Sequence, residues 1–272
     1  MQYLSQADYD SFWKDGFLIC RSVFSSKEIE DYRAHAMQVT DFVPDLLANP
    51  HLRQLITDDR VVTIAADLLG SVPTFIGDGV LTCKPKPSNW HKDNPGRYNS
   101  STLDWQSNYP IIRFGIYLQD HSTHSGGVSV RRMSHNSPSR FGGEPVYADT
   151  AIGDMVIWHG RTTHRASTSL LRVIGTPVFA YKIDKRLPKF LKIKNDRDRY
   201  AVFFTYGAQG PELDHFVNYY ATRQHAVDRA AATVYDENWI RSLDPAKVII
   251  RDTREIVQSL PPEQVAVQHR EF

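Results

Sequence analysis

The hydrophobic pattern changes period at Pro73, and this change limits the chain to a short set of folds. Upstream, apolar residues recur at helical spacing. Tyr9, Phe12 and Trp13 follow Ser5 and stop at Gly16, Ser25 or Ser26 caps a second helix over 27–39, and a helical block spans 52–69 before Gly70. Between the first two helices, Phe17-Leu18-Ile19-Cys20 reads as a strand. From Pro73 onward the apolar runs are short, β-branched and aromatic: 76–83, 111–118, 128–130, 155–158, 173–181 and 200–206, divided by Gly, Pro, Asn and Ser. Such a series predicts a sandwich or barrel. Pro211 then opens a helix through His215, Tyr219 and Arg223, and the tail from Trp239 is mostly helical or irregular.

With 272 residues the chain can bury a sizeable core as one domain. A net charge of +1 gives no global argument for nucleic acid or membrane as a partner. Cys20 and Cys83 form neither a disulfide framework nor a zinc pattern, which fits a reducing, cytoplasmic setting. The first eight residues lack the basic and apolar regions of an export signal, and no run approaches the roughly 20 apolar residues of a membrane span.

The chemistry concentrates at His91-Lys92-Asp93. On an extended strand, residues i and i+2 share a face, so His91 and Asp93 can reach one ion together. With a second histidine they make the two-histidine, one-carboxylate set that holds iron(II) and leaves coordination positions open. His164 and His159 compete for the third place; His164, 11 residues after Gly153, is preferred. His121, His124 and His135 are read as loop or supporting histidines, because the chain has 11 and the metal needs two. Trp90 and Trp105 are read as core or pocket wall.

Further motifs follow in a fixed order. Phe12-Trp13, Asp15-Gly16-Phe17-Leu18 and Ser26-Lys27-Glu28-Ile29 precede Trp90-His91-Lys92-Asp93; then come Tyr117-Leu118-Gln119-Asp120, Gly126-Gly127-Val128, Ser134-His135, Gly153-Asp154 and His164. In this order the chain resembles the phytanoyl-CoA dioxygenase family over most of residues 1–225. The resemblance implies a mainly β fold with flanking helices, a double-stranded β-helix (jelly roll, cupin-like). It implies one domain over 1–272: an N-terminal helical region over 1–72, a core 73–207 carrying a basic insertion 168–198, and a helical tail 208–272. Iron(II), 2-oxoglutarate and O2 are the implied cofactors, with His91, Asp93 and His164 as metal ligands and catalytic centre. The implied reaction is oxidation of a small molecule, most simply hydroxylation, because Asp93 occupies the position that halogenating relatives give up to halide. The alternatives are a metal- or 2-oxoglutarate-binding sensor without turnover, and a non-redox metal lyase or isomerase.

Two departures from the family pattern bear on the site. Met133 stands where the family has Gly before Ser-His. About 30 residues separate His164 from 199–207, which resembles the family's last strand with Arg199 at its entrance, whereas Arg172 lies only eight residues after His164. Arg199 and Arg172 therefore both stand as anchors for the far carboxylate of 2-oxoglutarate, which suits an arginine fork. Ser167 either bonds the cosubstrate or its arginine, or satisfies local backbone. Between Lys182 and Arg199 lie eight basic residues against three aspartates. The run is either a solvated face or a lid, joined by Lys84, Lys92, Arg97, Arg131 and Arg132, that holds an anionic or carrier-linked small-molecule substrate.

Overall fold

A computed structural model describes residues 3–39, 44–83, 87–121, 124–194, 198–261 and 264. Lys84 and Arg197 lie outside them. The strands are β1 (Phe17–Cys20), β2 (Thr74–Phe75), β3 (Val80–Cys83), β4 (Ile111–Tyr117), β5 (Gly127–Arg132), β6 (Glu144–Tyr147), β7 (Met155–His159), β8 (His164–Thr168), β9 (Tyr200–Gly207) and β10 (Ile249–Ile250). The helices are α1 (Gln6–Asp15), α2 (Ser26–Ala36), α3 (Gln54–Thr57), α4 (Asp59–Leu69), α5 (Tyr181–Arg186), α6 (Pro211–Ala221), α7 (Gln224–Ala232), α8 (Glu237–Ser242) and α9 (Thr253–Ser259). Capping boxes start α1, where Ser5 pairs with Asp8, and α2, where Ser25 rather than Ser26 pairs with Glu28.

The larger sheet runs β1-β7-β4-β9-β2-β10, with β3 also on β9, and the smaller runs β6-β5-β8. His91 extends the smaller sheet through a bridge to His164. From β3 the chain crosses to His91, back to β4, over to the β5-β6 hairpin, and then through β7, β8 and β9, changing sheets each time. This winding is the double-stranded β-helix.

Strand alternation divides the core into two layers. Tyr117, Val128, Val130, Val156, Trp158 and Ala201 fill the space between the sheets. Their neighbours Ile112, Phe114, Ile157, Val202 and Phe204 face outward onto Ile29 of α2 and Val61, Ile64 and Leu68 of α4. A third cluster sets Leu213, Phe216 and Val217 of α6 on Ile76, Tyr109 and Ile111, closing one end of the barrel.

Three expectations need correction. Segment 173–181 is not a strand: Val173 is 91% exposed, and Gly175 and Pro177 leave only isolated bridges. The helical block 52–69 is divided into α3 and α4 at Asp58. The run 76–83 is strand only over β3, and the mostly helical or irregular tail also contributes β10, which pairs parallel with β2 and returns the chain to the large sheet. Among the described residues, no helix is long and apolar enough to cross a membrane.

Candidate active site

Two backbone hydrogen bonds fix the first corner of the site. The His91 N–H donates to the His164 carbonyl at 3.0 Å, and the His164 N–H donates to the His91 carbonyl at 2.9 Å. The residues 73 positions apart in sequence thus become direct neighbours. Alternation sends Lys92 the other way. It is fully buried, and its Nζ donates to the carbonyls of Ser134 at 2.6 Å and Arg161 at 2.7 Å. The Ser134 hydroxyl also accepts from the Thr163 N–H at 2.9 Å, immediately before His164. The Ser-His motif therefore holds the corner rather than the metal: His135 faces the Trp13 carbonyl at 3.0 Å.

His91, Asp93 and His164 bring one ligand atom each within 4.8 Å of one another. His91 Nε2 is 3.7 Å from Asp93 Oδ1, and His164 Nε2 is 3.4 Å from Asp93 Oδ2. Three mutually adjacent donors at about 2.1 Å from one ion stand about 3 Å apart, so a small inward adjustment closes the set. Both imidazoles are oriented for this. His91 Nδ1 faces the Asn89 carbonyl at 2.8 Å and His164 Nδ1 the Thr162 carbonyl at 3.1 Å. A carbonyl only accepts, so Nδ1 carries the proton in each ring and Nε2 presents its lone pair.

The electrostatics favour the ligand forms. Burial, opposed by Asp93, pushes His164 down to about 4, leaving it neutral at pH 7. Burial alone would raise Asp93, but His164, Arg113 and His91 outweigh it and hold the carboxyl well below the usual range. Arg113 of β4 is 3.2 Å from Asp93 and 3.9 Å from Asp78. Sequence reading missed it, because an inward strand arginine has no meaning until its carboxylates are placed.

The competing residues separate clearly. His159 is fully buried away from the triad: its Nε2 faces the Asn108 carbonyl at 3.1 Å and its ring packs on Trp13. Arg172 is exposed. Arg199 is 3% exposed, on the inward side of β9, with its guanidinium 5.2 Å from the Tyr117 ring centre and 5.8 Å from that of Phe203. Its Nη1 donates to the Thr82 hydroxyl at 3.1 Å, while among the described residues Nε and Nη2 are buried with no hydrogen-bond partner. Ser167 is buried with a left-handed φ of 61° and an unpartnered hydroxyl. Trp90 and Trp105 donate from their indole nitrogens to the carbonyls of Phe179 at 3.1 Å and Gly96 at 2.8 Å.

The described part of the basic insertion packs against the small sheet through α5. On β8, Arg165 points away from His164 and pairs with Asp184 of α5 at 2.6 Å, so the insertion covers the outer face of the small sheet. Lys192 is drawn to Asp184 at 3.2 Å, Arg131 caps the carbonyls of 141–143, and Arg132 faces Asp15 at 3.6 Å.

No protein-family model matches the sequence, and no curated protein matches it. Solved structures do. HygX from Streptomyces hygroscopicus, with nickel and 2-oxoglutarate bound, shares 19% identity at a TM-score of 0.55, covering 76% of this chain and 87% of that one. The non-heme alpha ketoglutarate dependent epimerase SnoN from nogalamycin biosynthesis shares 16% at 0.52, covering 74% and 81%. EctD from S. alaskensis in its apoform shares 17% at 0.54, covering 75% and 77%. The chain has the fold of these proteins. At such identities the likeness speaks for architecture, and the chemistry rests on this chain's own residues.

Proposed function

We propose that the protein is an iron(II)- and 2-oxoglutarate-dependent dioxygenase of the phytanoyl-CoA dioxygenase type that hydroxylates a small molecule. The observation that carries this reading is the His91, Asp93 and His164 set, with both Nδ1 atoms committed to backbone carbonyls. The likeness to HygX and SnoN supports it. Bound iron, with 2-oxoglutarate and O2, supplies the oxidising power: R–H, O2 and 2-oxoglutarate give R–OH, succinate and CO2.

The chain's own residues divide the remaining work. His91, Asp93 and His164 would take three of six positions on a bound ion and would leave three for the cosubstrate and O2. Arg199 anchors the far carboxylate, since its two orphaned nitrogens form an unfilled fork in a buried site. Phe203, beneath that guanidinium, pairs with Gly115, two positions from Arg113. Trp158, which packs on both His164 and Phe203, keeps water from the space between.

Iron titration and succinate release without substrate, in the presence of ascorbate, test the reading. Alanine at His91, Asp93 or His164 is expected to weaken iron binding at least as much as the ~10–100-fold lost with an outer partner, while the circular dichroism stays native. Arg199→Leu is expected to raise the 2-oxoglutarate requirement about tenfold or more and leave iron affinity in place. Wild-type protein that binds iron yet releases no succinate under any condition would point to the sensor or lyase alternatives instead.

A further inference from the structure

A cavity of about 200 Å³ opens beside Asp93, walled by β4, the turn that carries Arg97, and helices α6 and α7. Four arginines line it, Arg97, Arg113, Arg223 and Arg229, against two carboxylates, Asp78 and Asp93. Arg113 is matched by both carboxylates. Arg229 donates to the Asp78 carbonyl and the Tyr220 hydroxyl, each at 2.9 Å.

Arg97 and Arg223 are arranged differently. Both guanidiniums donate to the phenol oxygen of Tyr219, and both lie over its ring, 5.8 and 5.4 Å from the centre. Among the described residues, neither shows an ion pair with a carboxylate. Two like charges thus converge on one phenol, in a cavity whose two carboxylates, Asp78 and Asp93, already face Arg113. Charges of one sign in a low-dielectric cleft concentrate oppositely charged ligands. Asp93 also belongs to the triad, so any cation it binds takes up negative charge that otherwise faces the cavity.

We propose that Arg97 and Arg223, held over Tyr219, receive an oxyanion of the substrate, a carboxylate or phosphate, and so present the rest of a small molecule to the metal corner. This rests on the function proposed above and names its substrate class. The volume lies below the roughly 300–1,000 Å³ of pockets for drug-sized ligands. It therefore suits a small anionic metabolite and not a bulky carrier. The lysines of the insertion play no part: Lys189, Lys192 and Lys194 line a separate hollow with Ser125 and Ser167.

Calorimetric titration of the metal-free protein with inorganic phosphate, at constant ionic strength, tests the site. The double variant Arg97→Gln/Arg223→Gln is expected to lose affinity by about tenfold or more, as two charge-assisted contacts disappear. Lys189→Gln/Lys194→Gln is expected to bind as the wild type does. Should the double variant not fold, Arg223→Gln alone carries the test, because that side chain is partly exposed, with a several-fold loss expected. Phosphate affinity unchanged by the arginine variants, or lost with the lysine pair, overturns the proposal. Because the metal is absent, that result is separate from the function itself, which fails only if the iron-loaded wild type releases no succinate.

Discussion

Met133 holds a backbone angle that suits glycine. Its φ is 63°, its N–H donates to the Asp15 carbonyl at 2.7 Å, and it opens the turn of Ser134 and His135. The left-handed region costs a non-glycine residue about 1–2 kcal/mol, and the side chain, 50% exposed, recovers little of that by packing. Met133→Gly is therefore expected to stabilise the protein by up to about 1 kcal/mol once the extra freedom of the unfolded glycine is subtracted, read as a higher urea midpoint at unchanged slope. The methionine before Ser134-His135 thus has a local physical meaning. The triad was legible in the sequence for an equally local reason, since alternation over three residues sends His91 and Asp93 one way and Lys92 the other. Arg113 and Arg223 were not legible. Their significance comes from a strand register and a helix end that meet only in the folded molecule.

At the level of elements, Gly153-Asp154 shows how a turn positions a side chain, that of His164, which it never touches. Gly153 has φ 89°, and its carbonyl accepts from the Phe24 N–H at 3.0 Å. Asp154 accepts from the backbone N–H groups of Ser22 and Ala151, each at 2.9 Å, and from Arg21 at 2.6 Å. The turn thereby binds the start of β7 to the end of β1, and β7 leads into the loop before His164. A Cβ at Gly153 would press into the Phe24 carbonyl oxygen and hold a left-handed angle. Gly153→Ala is expected to cost on the order of 2–3 kcal/mol in chemical denaturation, with weaker iron binding following from the displaced corner. Helix caps and central strands were readable because their signals lie within a few residues. Segment 173–181 misled because Val173 and Ile174 have strand propensity but nothing to pack against, and propensity in a sheet is mostly a measure of packing.

For the whole molecule, buried histidines set the response to acid. Burial pushes His121 down to about 3 and His135 down to about 4, and lowers His159 well below its ordinary value. The unfolded chain takes up these protons first, near pH 6.5, so their contribution is complete above that pH and is lost as pH falls toward the folded values. For His135 this is on the order of 3 kcal/mol. Asp45, which burial pushes up to about 7, acts in the opposite sense: its contribution is present below about pH 4 and is lost as pH rises through 7. Three histidines outweigh one carboxyl, so stability is expected to fall from pH 6.5 to 4 in equilibrium unfolding. His135→Gln, which retains a donor for the Trp13 carbonyl, is expected to flatten that slope. The large sheet has a different consequence, for the order in which the chain is made. Phe17 has no strand partner until Trp158 exists, and Thr74 meets Ile249 only after a further 175 residues have been synthesised. Pairings between residues so far apart in sequence form slowly, because loop entropy is lost before contacts compensate for it. The first strand therefore spends synthesis as an unpaired edge, and orderly assembly at the ribosome depends on shielding that edge until its partner emerges.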